Sequence, residues 1–241
     1  MDLVFAAWGT HPLWKATDAM VERAYPAFMN HDATANRCFP LMYRMYPEWQ
    51  QLALDGDRPV GFFNSAPLPF TGSDADLPQE GWDWAIDLAT RRTVVDPTLA
   101  CGIQIVIDPE LHGRGYARSL VAQMKANAAA MGCTRLYVPI RPTRKSEFPH
   151  ESMADYARRI RDDGQPFDPW LRVHVSLGAH VLHPCERAMV IEGSIDEWKQ
   201  WSGVSLSGDG RHIVTGALGP VTVDGDRVTY VEPNLWLRHD L

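Results

Sequence analysis

Apolar and polar positions along the chain follow two rhythms, and the sharpest change between them lies in residues 103–140. Ile103, Ile105, Val106 and Ile107 form a β-branched apolar run with the composition of a buried strand, which Asp108-Pro109 ends as a turn pair. A tight basic turn follows, His112-Gly113-Arg114-Gly115. Ala117, Leu120, Val121, Met124, Ala128 and Met131 then recur at helical spacing, so one stripe faces a core until Gly132 stops the helix. Residues 136–140 are extended again. Strand, glycine turn, helix and strand make a βαβ unit, with parallel strands joined by a right-handed crossover.

The rest of the pattern falls on either side of this unit. Residues 2–8 read as a first strand, and 11–49 carry helical spacing broken by Pro26, Pro40 and Pro47. The large rings of that segment, Trp14, Tyr25, Phe28, Phe39, Tyr43, Tyr46 and Trp49, suit core packing first and a ligand wall second. Residues 51–54 and 60–65 flank Asp55-Gly56-Asp57 as a hairpin, 67–80 form an acidic loop, 81–92 a helix and 99–107 a strand. Beyond the βαβ unit, 150–161 has helical spacing. The helix at 168–179 opens on Asp168 and Pro169, closes at Gly178, and turns Trp170, Val173, His174 and Leu177 to one inward face. A strand at 188–195, a short helix at 196–201 and a hairpin of 221–223 with 228–231 complete the chain.

The glycine turn meets a helix N-terminus, where unpaired N–H groups and the helix dipole favour an anion and glycine lets it approach the main chain. Arg114 adds a charged fork. A P-loop needs Gly-Lys-Ser/Thr, which is missing, and a dinucleotide fingerprint needs glycine and an acidic residue where Arg118 and Arg141 stand. The turn instead resembles the acyl-CoA-binding motif of the GNAT superfamily of N-acyltransferases, Gln/Arg-x-x-Gly-x-Gly/Ala. Here it reads His112-Gly113-Arg114-Gly115-Tyr116-Ala117, with His112 departing from the usual Gln or Arg.

That resemblance implies an α/β fold (α+β by some schemes): a mixed, mostly antiparallel sheet with a central splayed parallel strand pair and helices on both faces. It implies one domain over 1–241, with N-terminal strands and acceptor-side helices in 1–98, the acyl-CoA-binding core in 99–140 and the rest of the sheet in 141–241. Acetyl-CoA, or another acyl-CoA, is the implied co-substrate. It would be held by Ile105, Val106, Ile107, His112, Gly113, Arg114, Gly115, Tyr116, Ala117 and Arg118, with strand amides facing the thioester oxygen. The implied reaction acetylates an amine of a small molecule by direct attack in a ternary complex. Pro139 fits a splayed strand, since proline costs little where a ladder is open. In the family a short helix ends Tyr-x-x-x-Gly-Phe, and that tyrosine protonates the thiolate. Here His174 and Ala179 occupy the tyrosine and phenylalanine positions, so His174 is either that acid or a core histidine bonded to a carbonyl.

Composition narrows the picture further. A formal charge of −7 argues against general nucleic-acid binding, yet the basic stretches 141–145 and 158–161 keep an aminoacyl-tRNA donor open, beside an acyl-carrier-protein donor and a non-catalytic CoA-binding module. Residues 99–107 hold no carboxylate, so the base is water, Asp83, Asp87 or Glu232. His174, His180, His183 and Cys185 match no zinc spacing, and no metal is expected. Four scattered cysteines, a start without a basic leader and no apolar run near roughly 18 residues point to the cytoplasm and away from a membrane. The oligomeric state, a homodimer included, stays open.

Overall fold

A computed structural model describes residues 3–241; Asp2, the expected start of the first strand, lies outside the described residues. In chain order the elements are β1 (Val4–Ala7), α1 (Thr17–Ala24), α2 (Ala33–Met45), β2 (Gln50–Asp55), β3 (Arg58–Pro67), α3 (Gly81–Thr90), β4 (Leu99–Ile107) and α4 (Tyr116–Ala130). There follow β5 (Arg135–Ile140), α5 (Met153–Ala157), α6 (Pro169–Ser176), β6 (His180–Ser194), α7 (Ile195–Ser202), β7 (Gly210–His212), β8 (Val221–Asp224) and β9 (Arg227–Asp240). The strands form one nine-stranded sheet in the order β1-β2-β3-β4-β5-β9-β8-β7, with β6 laid along β9. Every pairing is antiparallel except β4 with β5.

Side-chain alternation decides which helix covers which face. Phe62 and Val106 pack with Trp14 and Met20, which places α1 on one face. Ile105 and Ile107 pack with Tyr116 and Leu120, which places α4 on the other. Tyr43 of α2 reaches Asn64 on the α1 side, and α3 packs against α2. The sheet is thus buried on both faces.

The central parallel pair is short. Leu99, Ala100 and Cys101 register with Arg135, Leu136 and Tyr137, and from there β4 and β5 diverge. A β-bulge explains the divergence: β3 pairs Asn64 with Gln104 and Ser65 with Gly102, leaving Ile103 as the extra residue. A bulged strand bends and gains twist, and this bulge begins two residues beyond the last β5 partner. The Ile103 carbonyl accepts instead from the indole Nε1 of Trp82 on α3 at 2.7 Å. Pro139 lies in the half of β5 that β4 has left, while on the opposite side it keeps its register with Trp236 of β9. Pro139→Val is therefore expected to change unfolding free energy by less than about 1 kcal/mol. Urea unfolding checks this, and a larger change in either direction would mark the position as ordinarily paired.

Among the departures from the pattern-based reading, three bear on the core and the sheet. Pro40 does not break its helix; it sits inside α2, whose buried Cys38 and Met42 hold it in the main core at the cost of one backbone hydrogen bond. The helix expected over 150–161 shrinks to α5, because the chain leaves it to bond Phe167 N–H to the Arg159 carbonyl and bridge Ile160 to Pro166. The final hairpin strand runs on to Asp240 as β9, which lies between β5 and β6.

Candidate active site

Asp108-Pro109 opens a single 3-10 turn, Pro109–Leu111, pinned by buried Leu111 and by the Asp108 carboxylate, which accepts from the Glu110 amide and pairs with Arg23. The chain then crosses His112 to Gly115 in the open: all four residues are exposed. Gly113 and Gly115 take φ of +78° and +88°, a region L-residues avoid. A Cβ on Gly113 would meet nothing within 4 Å. Gly115 is the N-cap of α4, no side chain caps the helix, and its first turn holds no acidic residue, so first-turn amides and positive dipole face outward. The Tyr116 hydroxyl donates to Asp55 at 2.7 Å and anchors the start of α4 to the β2–β3 hairpin. These residues fit the diphosphate of a CoA-type ligand through backbone shape, whatever side chain stands at His112.

This turn opens into a cleft of about 960 Å³ that runs through the splay. Gly102, Ile103, Gln104, Ile105, Val106 and Ile107 line it from β4, and Val138, Pro139 and Ile140 from β5. The β4–β5 register ends at Cys101, so the edge of β4 past the bulge is left without a β5 partner. Met124 and Val173 border the cleft on the α4 face, Phe39, Tyr43 and Trp82 on the other, so it passes through the sheet. At the closed end the space is full: a Cβ on Gly102 would come within 2.8 Å of Met124 Sδ.

The sequence-derived site residues divide at this point. Ile105, Val106, Ile107, His112, Gly113, Gly115, Tyr116, Ala117 and Arg118 all line the cleft, whereas Arg114 is exposed and does not. Arg118, at the cleft mouth, donates to Ser176 Oγ at 2.7 Å and ties α4 to the end of α6. His174 is not brought to the cleft. It is 0% exposed, with Nδ1 2.9 Å from Nε2 of equally buried His239, and its own Nε2 has no partner among the described residues. Burial, with help from His239 and Lys125, lowers its pKa to about 3, so it is a neutral imidazole at pH 7.

Sequence reasoning names Glu232 as a candidate base and Arg141 within a basic stretch, but does not bring the two together in the polar floor of the cleft. Arg141 directly follows β5, and Glu232 and Asn234 come from β9; with Tyr25 and Gln104 they line the end towards α2 and α3. Arg141 Nε donates to Glu232 at 3.0 Å, and the same carboxylate accepts from the Tyr230 hydroxyl at 2.9 Å and Asn234 Nδ2 at 3.2 Å. The available signal was position, since a residue just past the C-terminal end of a parallel strand faces the ligand side of an α/β sheet. Of the other candidate bases, Asp87 pairs with Arg37 and Arg91 at the surface. Asp83 accepts from Val190 N–H, does not line the cleft, and has a pKa pushed up to about 8, first by burial and then by Asp32.

The acidic loop and the basic stretches are occupied structurally. Asp74 binds Arg238 and the Tyr137 hydroxyl, and Asp76 caps its own turn at Ser73. Arg144 pairs with Glu147, Arg158 with Asp155, Arg159 with Glu151 and Arg161 with Asp163, while Lys145 is buried against the Phe148 and Leu218 carbonyls. All four cysteines are free and buried. Among the described residues, no three His, Cys, Asp or Glu side chains are placed to hold a metal ion, and no helix is long and apolar enough to cross a membrane.

An uncapped glycine turn opening into a parallel pair that parts after three residues defines an acyl-CoA-type fold, and the chain belongs to the acetyltransferase (GNAT) family, whose model matches residues 14–147. A curated relative, arginine N-acetyltransferase avaD of Aspergillus versicolor, is 29% identical over 192 residues, covering 69% of this chain. The chain covers 66% of that relative's length, just under two thirds. Among solved structures, the loading GNATL domain of CurA from Lyngbya majuscula covers all of this chain with a TM-score of 0.65 at 14% identity, 98% of that domain being matched. The GphF GNAT-like decarboxylase in complex with isobutyryl-CoA likewise covers all of it with a TM-score of 0.62 at 14% identity, 99% of that chain being matched. At such identity these two likenesses speak for the fold alone.

Proposed function

We propose that the protein transfers an acetyl group from acetyl-CoA to an amine of a small molecule, by direct attack within a ternary complex. The observation that carries this reading is the continuity of the exposed Gly113–Gly115 turn with the gap between β4 and β5. Acyl-CoA supplies an activated thioester carbonyl. The turn and the α4 N-terminus hold its diphosphate. The splay takes the attached arm between two walls of main chain, and amides of the diverging β4 segment stand where the carbonyl oxygen gains charge, a contribution of about 2.7–4 kcal/mol for a well-placed donor.

The N–C bond forms as the C–S bond breaks. Of the two protons the ammonium gives up, one passes to Glu232 or water before attack, and the other leaves with acylation. The departing thiolate takes up one proton. With a thiol pKa of about 8.5 it leaves readily and needs no dedicated acid. No proton is routed through His174, whose imidazole lies outside the cleft.

The test is thiol release from acetyl-CoA with a panel of amines, including L-arginine, for which the curated relative is named. Turnover that depends on an amine and yields its acetamide is expected. Binding of CoA without any amine-dependent thiol release would leave a CoA-binding module in place of an enzyme.

A further inference from the structure

The Arg141–Glu232 pair does more than close the floor of the cleft. Glu232 is 0% exposed and the Arg141 side chain 20% exposed. Desolvating two charges is costly, and an apolar pair would serve the fold as well or better. Structure explains only part of what they present. Arg141 spends Nε on Glu232 and Nη2 on the Gly216 carbonyl, which leaves Nη1 without a hydrogen bond among the described residues. Glu232 accepts three hydrogen bonds where a carboxylate has about four acceptor sites. Both residues line the cleft beside Asn234, Gln104 and Tyr25. One cationic donor without a partner among the described residues thus stands next to a buried carboxylate, both lining the end of the cleft that faces α2 and α3.

From this juxtaposition we infer that the acceptor is a free α-amino acid, its carboxylate bonded by Arg141 Nη1 and its ammonium held by Glu232 until it is deprotonated. This inference rests on the acetyl-transfer reading and narrows its acceptor from amines in general to amines with an adjacent carboxylate. An α-amino acid carries its two charges on groups bonded to one carbon, a close spacing that an adjacent Arg–Glu pair can match. Arginine is the side chain suited to carboxylates, because its planar fork keeps donors aimed when one or two are already engaged.

Matched probes test it: L-arginine with agmatine and L-phenylalanine with phenethylamine, pairs that differ only by the carboxylate. Binding to the protein saturated with CoA is measured by calorimetry, alongside kcat/KM with acetyl-CoA. Loss of the carboxylate is expected to weaken binding by about 10- to 100-fold, as for one charge-assisted hydrogen bond. Arg141→Gln should bring the members of each pair to within about 3-fold of one another by weakening only the amino acid. Equal binding of amino acid and amine by the unaltered protein overturns the inference, as does failure of every amino acid to bind, and neither result depends on how the variant folds. CoA binding and thiol release are read in the same samples. If they are present while the carboxylate is irrelevant, this inference fails alone; if CoA does not bind, the acetyl-transfer reading fails first.

Discussion

Gly115→Val is expected to abolish measurable CoA binding, a loss of at least about 100-fold by calorimetry, while the protein still unfolds in one cooperative step. Gly115 holds φ at +88° as the N-cap of α4. A β-branched residue cannot keep that angle without strain of about 1–3 kcal/mol. The turn relieves the strain by rotating, because its four residues are exposed and nothing packs over Gly113. Rotation moves the very amides proposed to hold the diphosphate, so affinity should fall much further than stability. Leu111 beneath the turn and the Tyr116–Asp55 hydrogen bond keep α4 in place. Unaltered CoA affinity in this variant would mean that the turn is not the phosphate cradle.

The second large effect concerns stability against pH. Burial holds His174 at a pKa of about 3 and His239 at about 4, against an ordinary value of 6.5. The unfolded chain therefore takes up protons below pH 6.5 that the folded chain refuses. The stabilisation is complete above pH 6.5 and drains away as pH falls from there towards 3, at about 1.4 kcal/mol per pH unit for each excluded proton. His174→Leu should remove about one proton from that slope between pH 6 and pH 4. Urea unfolding at pH 7, 6, 5 and 4 compares the two proteins, and parallel curves would show that the histidines titrate as freely folded as unfolded. The same pair explains why α6 stays seated on β9, although neither ring reaches the cleft.

Local rhythm made the βαβ core legible. The strand at 99–107, the glycine turn, the 168–179 helix with its Asp168 cap and the Asp55-Gly56-Asp57 hairpin each carry their signal within a few residues, and each is found. Two features were illegible because they depend on distant partners. The bulge at Ile103 exists only relative to Asn64 and Ser65 on β3, and nothing in an apolar run marks which residue is left unpaired. The course of β9 beyond Val231 was also missed, and with it the placement of Glu232 and Asn234 beside Arg141, 91 residues away in the chain from Glu232. His174 shows the converse. Its spacing to Gly178 suited a proton donor, but the partner that keeps it buried, His239, is 65 residues further on.

Hydrogen exchange read by mass spectrometry, with and without CoA, addresses the central claim most directly. The amides of 113–117 lie in an exposed turn and helix start, and those amides of 102–107 that point away from β3 face the edge β5 has left, so both groups should exchange readily in the free protein. CoA should slow exchange in those two peptides together and leave the antiparallel strands of the C-terminal half unchanged. Fast exchange in both peptides at saturating CoA, or protection already complete in its absence, would contradict the account.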